Sequence, residues 1–382
     1  MLEQYLAGSI SQTIERARAL SMLFDKAHHR DYDGLRQHCT QKLSETLTGL
    51  RKLQQELIVD EKLQSPRRLR EFRRYCDRLE EIETIGATAL ATVQPEAEFV
   101  NAVVRSICSD ISYPLVPPIV THLSASHFGI LADYNLLIVP LLEGSYFLHL
   151  ADIYHELAHP LLHVTYDDRP VLEPYRKAFT IAKIAVVHHT AKAILDAKRA
   201  RAVRAIEDQF LRWGKLWQTY WLEESFCDVF AALSCGPAYA WSHYHLAIKK
   251  GQHAFSVSLD RLDPPPADDA RMRIILSALT RIGFDEECAV LRTAWTNLMD
   301  HRGERAEPEY RQCYSDDLIE KIVDIAHGGI EAMGINLAVP GALTPWSDRL
   351  DKAWRSFWED PEHYSVWERE QMRLLVSTMA RR

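Results

Sequence analysis

Three histidines and a glutamate stand close together in the segment YHELAHPLLH, residues 154–163. His155 and His159 are four residues apart, so on a helix their imidazoles project from one face and can reach one metal ion. Zinc held by neutral imidazoles needs a third protein ligand and leaves the fourth position to water, whose pKa then falls to about 7. Glu156 would lie beside that water and accept its proton. The HExxH pattern therefore predicts a hydrolytic zinc site.

A third ligand is offered further along the chain by WLEESFCDVFAAL, residues 221–233. Glu224 and Asp228 form an ExxxD pattern there among large apolar residues. Two acids at helical spacing on a buried helix need a partner. We predict that Glu224 completes the protein ligands and that Asp228, one turn further on, accepts a hydrogen bond from the far nitrogen of a ligating histidine. Ordinary acids on the surface of a helix are the alternative interpretation.

Three neighbouring residues qualify this prediction. His163 extends the histidine face, but ligands at i, i+4 and i+8 would span about 12 Å, too far for one ion, so a packed or solvated histidine is expected. Pro160 removes one helical hydrogen bond and biases His159 away from helical geometry, which predicts a kink or an end of the helix there. Cys227 is predicted to be a buried, inert thiol.

HExxH followed downstream by ExxxD resembles the gluzincin group of zinc metallopeptidases, to which the thermolysin-like enzymes belong. The resemblance covers roughly residues 113–280 and implies zinc bound by His155, His159 and Glu224. It also implies that Glu156 is the general base. Asp228 would accept a hydrogen bond from the nitrogen of a ligating histidine that does not bind zinc. In this group an edge strand above the active-site helix holds extended substrate. Here the two motifs are separated by two predicted helices, Val171–Asp196 and Ala200–Tyr220, so a cap or side layer is expected.

One further stretch resembles part of that group more weakly. DPPPADDARMRIIL, residues 263–276, is similar to a proline-and-arginine stretch that follows ExxxD in one branch. A histidine usually precedes the proline there, whereas this chain has Asp263-Pro264.

The elements that must position these residues are mostly helices. Residues 1–110 show leucines at helical spacing, such as Leu43, Leu47, Leu50, Leu53 and Leu57. Two or three short strands are predicted between residues 113 and 144, where Pro and β-branched residues alternate with turn signals. From Ser145 almost to the end of the chain, the apolar residues again recur at helical spacing. The predicted fold is mainly α with a small antiparallel β-sheet, a zincin-like core flanked by helical regions.

Three regions are predicted from these changes in pattern. Residues 1–110 form an N-terminal helical bundle region, and residues 111–282 form the zincin-like catalytic core with a helical insertion over 165–220. Residues 283–382 form a C-terminal helical region.

Composition narrows the classes of partner. The chain has 382 residues and a formal net charge of −8, which argues against nucleic acid or an anionic membrane as the main partner. No run approaches the about 18 uninterrupted apolar residues of a membrane span, and the N-terminus does not resemble a signal peptide. Seven scattered cysteines, none in CxxC spacing, favour reduced thiols in the cytoplasm. A peptide or protein substrate is expected, with possible protein partners or self-association through the N-terminal helices.

Two functions follow from these residues. The first is a cytoplasmic, zinc-dependent metallopeptidase that hydrolyses peptide bonds with a metal-activated water. The second is a non-catalytic helical regulatory or interaction protein that retains a degenerate metallopeptidase core.

Overall fold

The computed structural model describes residues 2–26, 29–59, 65–93, 95–123, 128–141, 143–163, 169–201, 203–256 and 265–379. It divides into two compact units, Met1–Asn101 with Pro118–Leu141, and Ala102–Pro117 with Leu142–Arg382. Asp263 and Pro264 lie outside the described residues. The three regions predicted from the sequence, with boundaries after residues 110 and 282, stay a prediction.

The first unit is built on helices α1, α2 and α3, which pack against one another. The predicted leucine stripe is confirmed, since Leu43, Leu50 and Leu53 are fully buried and Leu47 and Leu57 are partly buried against the same clusters. The helices of this part of the chain are α1 (Leu2–Lys26), α2 (Asp33–Val59), α3 (Ser65–Glu81), a π-helical segment (Ile82–Ala87), α4 (Thr88–Ala91) and α5 (Pro95–Asp110), which runs across the division.

The first unit also contains the sheet, whose strands are β1 (Ile119–Thr121), β2 (Gly129–Leu131) and β3 (Leu136–Ile138). The strand order is β1-β3-β2. β2 and β3 are antiparallel, but β1 and β3 are parallel, with Ile119 opposite Leu136. The prediction of an antiparallel sheet is therefore wrong for one of the two pairs. The chain enters the sheet at one edge with β1 and returns at the opposite edge with β2, so the central strand β3 runs in the same direction as β1.

The second unit is entirely helical in its described part. Its helices are α6 (Phe147–Leu150), α7 (Asp152–Glu156), α8 (His159–His163), α9 (Glu173–Arg199), α10 (Arg204–Leu216), α11 (Leu222–Cys235), α12 (Pro237–Lys250), α13 (Asp268–Arg281), α14 (Asp285–Arg302), α15 (Pro308–Cys313), α16 (Asp316–Ala332), α17 (Pro345–Glu359) and α18 (Tyr364–Met379). The mainly helical fold class predicted from the sequence is confirmed.

Helix α11 is the centre of this unit. Every residue from Ser225 to Cys235 is buried, and α11 packs against α7, α9, α12, α13 and α16. The helix ends at Gly236, whose φ of +80° and ψ of −157° are accessible to glycine and strained for other residues. Pro237 then begins α12.

The insertion between the two motifs consists of α9 and α10. Instead of ending at Tyr220, the second of these continues through a π-helical segment, Trp217–Trp221, directly into α11. The segment Pro170–Arg199 is the one described helix that is long and apolar enough, by length and composition, to cross a membrane, and 22% of its most apolar window is buried. All seven cysteines lie in the described part of the chain and are unpaired.

Candidate metal centre

The residues of the HExxH motif lie on two short helices rather than on one. Helix α7 ends at Glu156 and α8 begins at His159. Between them, Ala158 N donates to the carbonyl of His155 over 3.0 Å, a three-residue step in place of the helical four. The hydroxyl of Tyr113 donates to the carbonyl of Leu157 over 2.8 Å. The helix is thus interrupted just before Pro160, consistent with the missing N–H of that proline.

The interruption leaves the two imidazoles close together. The ring centroids of His155 and His159 are 5.2 Å apart, with the rings nearly perpendicular. The side chain of His155 is 8% exposed and that of His159 is 17% exposed. Both rings therefore face the interior of the second unit, where α11 lies.

Glu224 of α11 meets both rings at the same edge. Its Oε2 is 3.3 Å from Nε2 of His155, and its Oε1 is 3.8 Å from Nε2 of His159. The sequence prediction that these three side chains meet thus describes their observed arrangement. The three groups offer two nitrogen atoms and one carboxylate to a common point.

The opposite nitrogen of each ring is held by a different acid. Nδ1 of His155 is 3.0 Å from Oδ1 of Asp228, and Nδ1 of His159 is 2.8 Å from Oε1 of Glu223. A ring that donates through Nδ1 keeps the lone pair of Nε2 free for a metal. Both imidazoles are therefore held so that Nε2 points toward Glu224.

Asp228 is completely buried and is held by three donors. Arg271 binds both of its oxygens, with Nη2 2.6 Å from Oδ1 and Nε 2.8 Å from Oδ2. The hydroxyl of Tyr239 donates to Oδ1 over 2.5 Å and also lies 3.0 Å from Nδ1 of His155. Burial opposes the charged carboxylate, but the Arg271 guanidinium and these hydrogen bonds hold the pKa of Asp228 well below its ordinary value. The acid behind His155 thus stays ionised.

Glu223 bridges two histidines. Its Oε1 lies 2.8 Å from Nδ1 of His159 and 2.7 Å from Nε2 of His163. The side chain of His163 is half exposed and reaches Glu223 rather than the meeting point of the other rings. His163 is therefore placed beside the centre and not at it, as the helical spacing suggests.

The side chains of His155 and Glu224 form an ion pair with a separation of 3.3 Å. Burial disfavours the charged imidazole of His155, yet its hydrogen bonds to Asp228 and Glu224 outweigh that effect and raise its pKa. Burial likewise disfavours the charge on Glu224, and its contact with His155 lowers the pKa of the carboxyl. Both pKa shifts arise in part from the same contact between His155 and Glu224. A metal entering the site would replace the proton shared by this pair.

Cys227 is the other donor near these rings. Its sulfur and one nitrogen each of His155 and His159 lie within 4.8 Å of one another. The thiol is completely buried, and burial raises its pKa well above the ordinary value, so the neutral thiol is favoured over the thiolate that binds metals. Glu224, already ionised between the rings, is the better third ligand.

Glu156 is the last residue of α7, directly before the interruption between the two short helices. It is half-buried, it directly follows His155, and its carboxylate makes no hydrogen bond or ion pair with the residues described. Its charge nevertheless acts on His159, whose pKa it helps to raise.

The separations suit a zinc ion. Ligands held tetrahedrally at about 2.0–2.1 Å from zinc are about 3.4 Å apart. The carboxylate of Glu224 is 3.3 Å from Nε2 of His155 and 3.8 Å from Nε2 of His159, so a shift of a few tenths of an ångström would bring both pairs to that spacing. Two imidazoles and one carboxylate form a ligand set that zinc uses in catalytic sites. The residues present therefore fit this ion.

Three residues of the site lie outside the set predicted from sequence: Glu223, Tyr239 and Arg271. The sequence could have pointed to two of them, because Glu223 stands directly before Glu224 and Arg271 belongs to the proline-and-arginine stretch. Tyr239 carried no such signal. His243 and His189 contact backbone carbonyls, of Asp268 and Gln312, at 2.9 and 2.8 Å.

No family model, curated protein or solved structure matches this chain.

Proposed function

We propose that this protein is a zinc-dependent metallopeptidase with a zincin-like core in its second unit. The observation that supports it most strongly is the orientation of two imidazoles. Both Nε2 atoms face Glu224, while each Nδ1 is engaged by its own buried or half-buried acid. A chance pairing of histidines and acids does not require such sorting of the ring nitrogens, whereas a metal site does.

In this proposal His155, His159 and Glu224 hold the ion. A zinc ion bound by these residues would supply Lewis-acid polarisation of a water molecule and of the carbonyl oxygen of the substrate. Asp228 and Glu223 keep the two imidazoles in the tautomer that leaves Nε2 free. Arg271 and Tyr239 act only through Asp228, by fixing the position and the charge of its carboxylate.

Glu156 moves the proton. Its carboxylate takes a proton from the attacking water as the water oxygen forms a bond to the carbonyl carbon. The same group then gives that proton to the amide nitrogen as the carbon–nitrogen bond breaks. The products are a new carboxyl terminus and a new amine, and Glu156 returns to its ionised form.

The substrate class follows from the proposed chemistry and is a peptide or protein. The seven unpaired cysteines support a reducing compartment such as the cytoplasm.

The test uses the full chain loaded with zinc and a library of quenched fluorescent peptides. We expect Glu156→Gln to keep about one zinc per chain and to lower cleavage by at least about a hundredfold, as is usual for loss of a general base. Glu331→Gln is the matched control, because Glu331 is an exposed glutamate at the end of α16. Its activity should equal that of the wild type.

Two results would contradict the proposal. Cleavage that survives Glu156→Gln would mean that this carboxylate is not the base. A zinc-loaded wild-type chain that cuts no member of the library would favour the non-catalytic alternative.

A further inference from the structure

One face of helix α9 is buried in the interior of the second unit. Its buried side chains are Tyr175, Ala178, Ala182, Ala185, Val186 and Ala197. These face α16, α10, α11 and the short helix α8. Gly329 of α16 lies so close that an added Cβ would be 2.7 Å from Cβ of Ala178. Because the two helices are in such close contact, α9 cannot leave the unit and become surrounded by lipid without breaking its core.

The opposite face of α9 exposes an apolar row, which we call the α9 stripe: Ile181, Ile184, Val187, Ala191 and Leu195. The four large side chains are 45–54% exposed. The steps of three and four residues place the row along one side of the helix, over about 21 Å at 1.5 Å per residue. Isolated exposed aliphatic residues need no explanation, but a continuous row of this length does.

Lysines surround the α9 stripe. Lys183 and Lys192 flank it on its two sides by helical spacing, and Lys177 and Lys198 lie toward its ends. All four are exposed. Lys183 Nζ lies 4.6 Å from the centre of the Phe179 ring, an example of a long stem that follows apolar surface while its charge stays in water.

Acids also lie on and beside this face, and Glu309 and Asp317 line a pocket that Lys192 shares. Asp196 pairs with Arg199 at 3.7 Å, and Glu207 of α10 lies 3.9 Å from Lys198. Glu173 is exposed at the N-terminal end of the helix, and Asp208 is exposed on α10. The cations flanking the middle of the stripe, Lys183 and Lys192, have no acidic partner among the residues that the structure describes.

The charge of this segment is opposite to that of the chain. Residues 169–220 contain eleven Lys or Arg and four Asp or Glu, whereas the whole chain has 45 and 53. The basic excess is thus concentrated on the two helices α9 and α10. A surface that combines local positive charge with an exposed apolar row complements an anionic, partly apolar partner.

We propose that α9 lies flat on an anionic lipid bilayer, with the α9 stripe in the boundary between headgroups and acyl chains and its lysines against the phosphates. Apolar residues on one side with flanking lysines are the pattern of helices that bind membrane surfaces without crossing them. A nucleic acid would match the lysines but would leave the aliphatic row in water. This proposal does not depend on the proposed peptidase activity.

The test is co-sedimentation of the full chain with vesicles of phosphatidylcholine alone, or with about one third phosphatidylserine. We expect binding to the mixed vesicles only, weakened by added salt. Ile184→Glu should lower the partition constant by about tenfold or more, since a charge replaces an inserted aliphatic group. Lys183→Glu and Lys192→Glu should each lower it by at least about fivefold.

Matched substitutions away from the stripe control for general effects. Leu374→Glu on α18 introduces the same charge at an aliphatic side chain that is 61% exposed, and Lys321→Glu changes an exposed lysine on α16. Both should bind as the wild type does, and all variants are compared for helix content and melting temperature. A folded wild type that stays in the supernatant with anionic vesicles would overturn the proposal. So would equal losses in the control variants, or binding of duplex DNA or RNA that depends on the lysines but not on Ile184.

Discussion

Nδ1 of His155 lies 3.0 Å from Oδ1 of Asp228, a carboxylate that has no exposure to solvent. The acid in turn is bound through both oxygens by Arg271. The orientation of the His155 ring is therefore determined by packed side chains of α11 and α13, independently of any ion. Such prior organisation of a ligand is what a metal site requires from its surroundings.

Tyr239 tests the contribution of this support. Tyr239→Phe removes a hydroxyl that donates to Asp228 and lies 3.0 Å from Nδ1 of His155. We expect zinc affinity to fall by about tenfold, measured by competition with a chromophoric chelator. Tyr314→Phe is the control, because the buried hydroxyl of Tyr314 has no hydrogen-bond partner in the part of the chain described. Equal affinity in the two variants would mean that the Tyr239 hydroxyl does not support the site.

Glu223 is predicted to support the second histidine in the same way. Glu223→Ala removes the acceptor at Nδ1 of His159, and we expect zinc to bind about 10- to 100-fold more weakly. His163→Ala removes the other, half-exposed partner of the same carboxylate and should change zinc affinity by less than about threefold. Isothermal titration at one pH compares them. A greater loss in His163→Ala would make that histidine a ligand and overturn the assignment.

Arg271 is predicted to matter for stability as well as for the site. Arg271→Met leaves the carboxylate of Asp228 buried without its cation, which costs about 3–5 kcal/mol in the free energy of unfolding. Arg305→Met removes a cation from a surface pair with Asp300, in which both side chains are more than half exposed, and should cost less than about 1 kcal/mol. Urea unfolding of the metal-free proteins measures both. A loss of less than about 1 kcal/mol of unfolding free energy in Arg271→Met would contradict this prediction. It would mean that the Asp228 carboxyl becomes neutral or rehydrated in the variant.

A pH dependence is expected from His245, which lies outside the metal centre. Burial, with the nearby His149 and Lys249, lowers its pKa to about 4, and Glu143 opposes the shift. The unfolded chain, with a histidine pKa of about 6.5, binds the proton more readily in this range. Stability from His245 is thus full above pH 6.5 and falls as the pH drops from about 6.5 to 4.

His245→Gln should therefore flatten the loss of stability between these pH values. The variant and the wild type are compared by urea unfolding at a series of pH values. His149 keeps part of the slope in the variant, because burial lowers its pKa in the same direction. An unchanged slope would mean that His245 is protonated equally in the folded and unfolded chains.

The meeting of His155, His159 and Glu224 could be predicted from sequence because the chemistry of these side chains is carried by residue type and spacing. His155, His159 and Glu224 are few, polar and set among apolar residues, so a shared role for them can be inferred without coordinates. The role of Glu223 could not be inferred in this way. It stands on a different side of α11 from Glu224, and only the interruption of the helix at residues 157–158 shows which imidazole nitrogen it meets.

Tertiary arrangement also limited the prediction of the fold. Short strands between residues 113 and 144 could be predicted from local pattern, but β1 is placed beside β3 by the path of the chain and not by any residue in the strands. Likewise, no glycine or proline marks the junction of α10 and α11. The π-helical segment Trp217–Trp221 joins them without a break and has no signal in the apolar period.

The zinc content of the purified full chain tests the central claim most directly. After dialysis against zinc and removal of excess, the wild type and Cys227→Ala should each retain about one zinc per chain, and Glu224→Ala should retain none. Circular dichroism must show all three folded. A folded wild type without bound zinc, or a Glu224→Ala variant that keeps it while Cys227→Ala loses it, would contradict the account of two imidazoles and one carboxylate as the ligands.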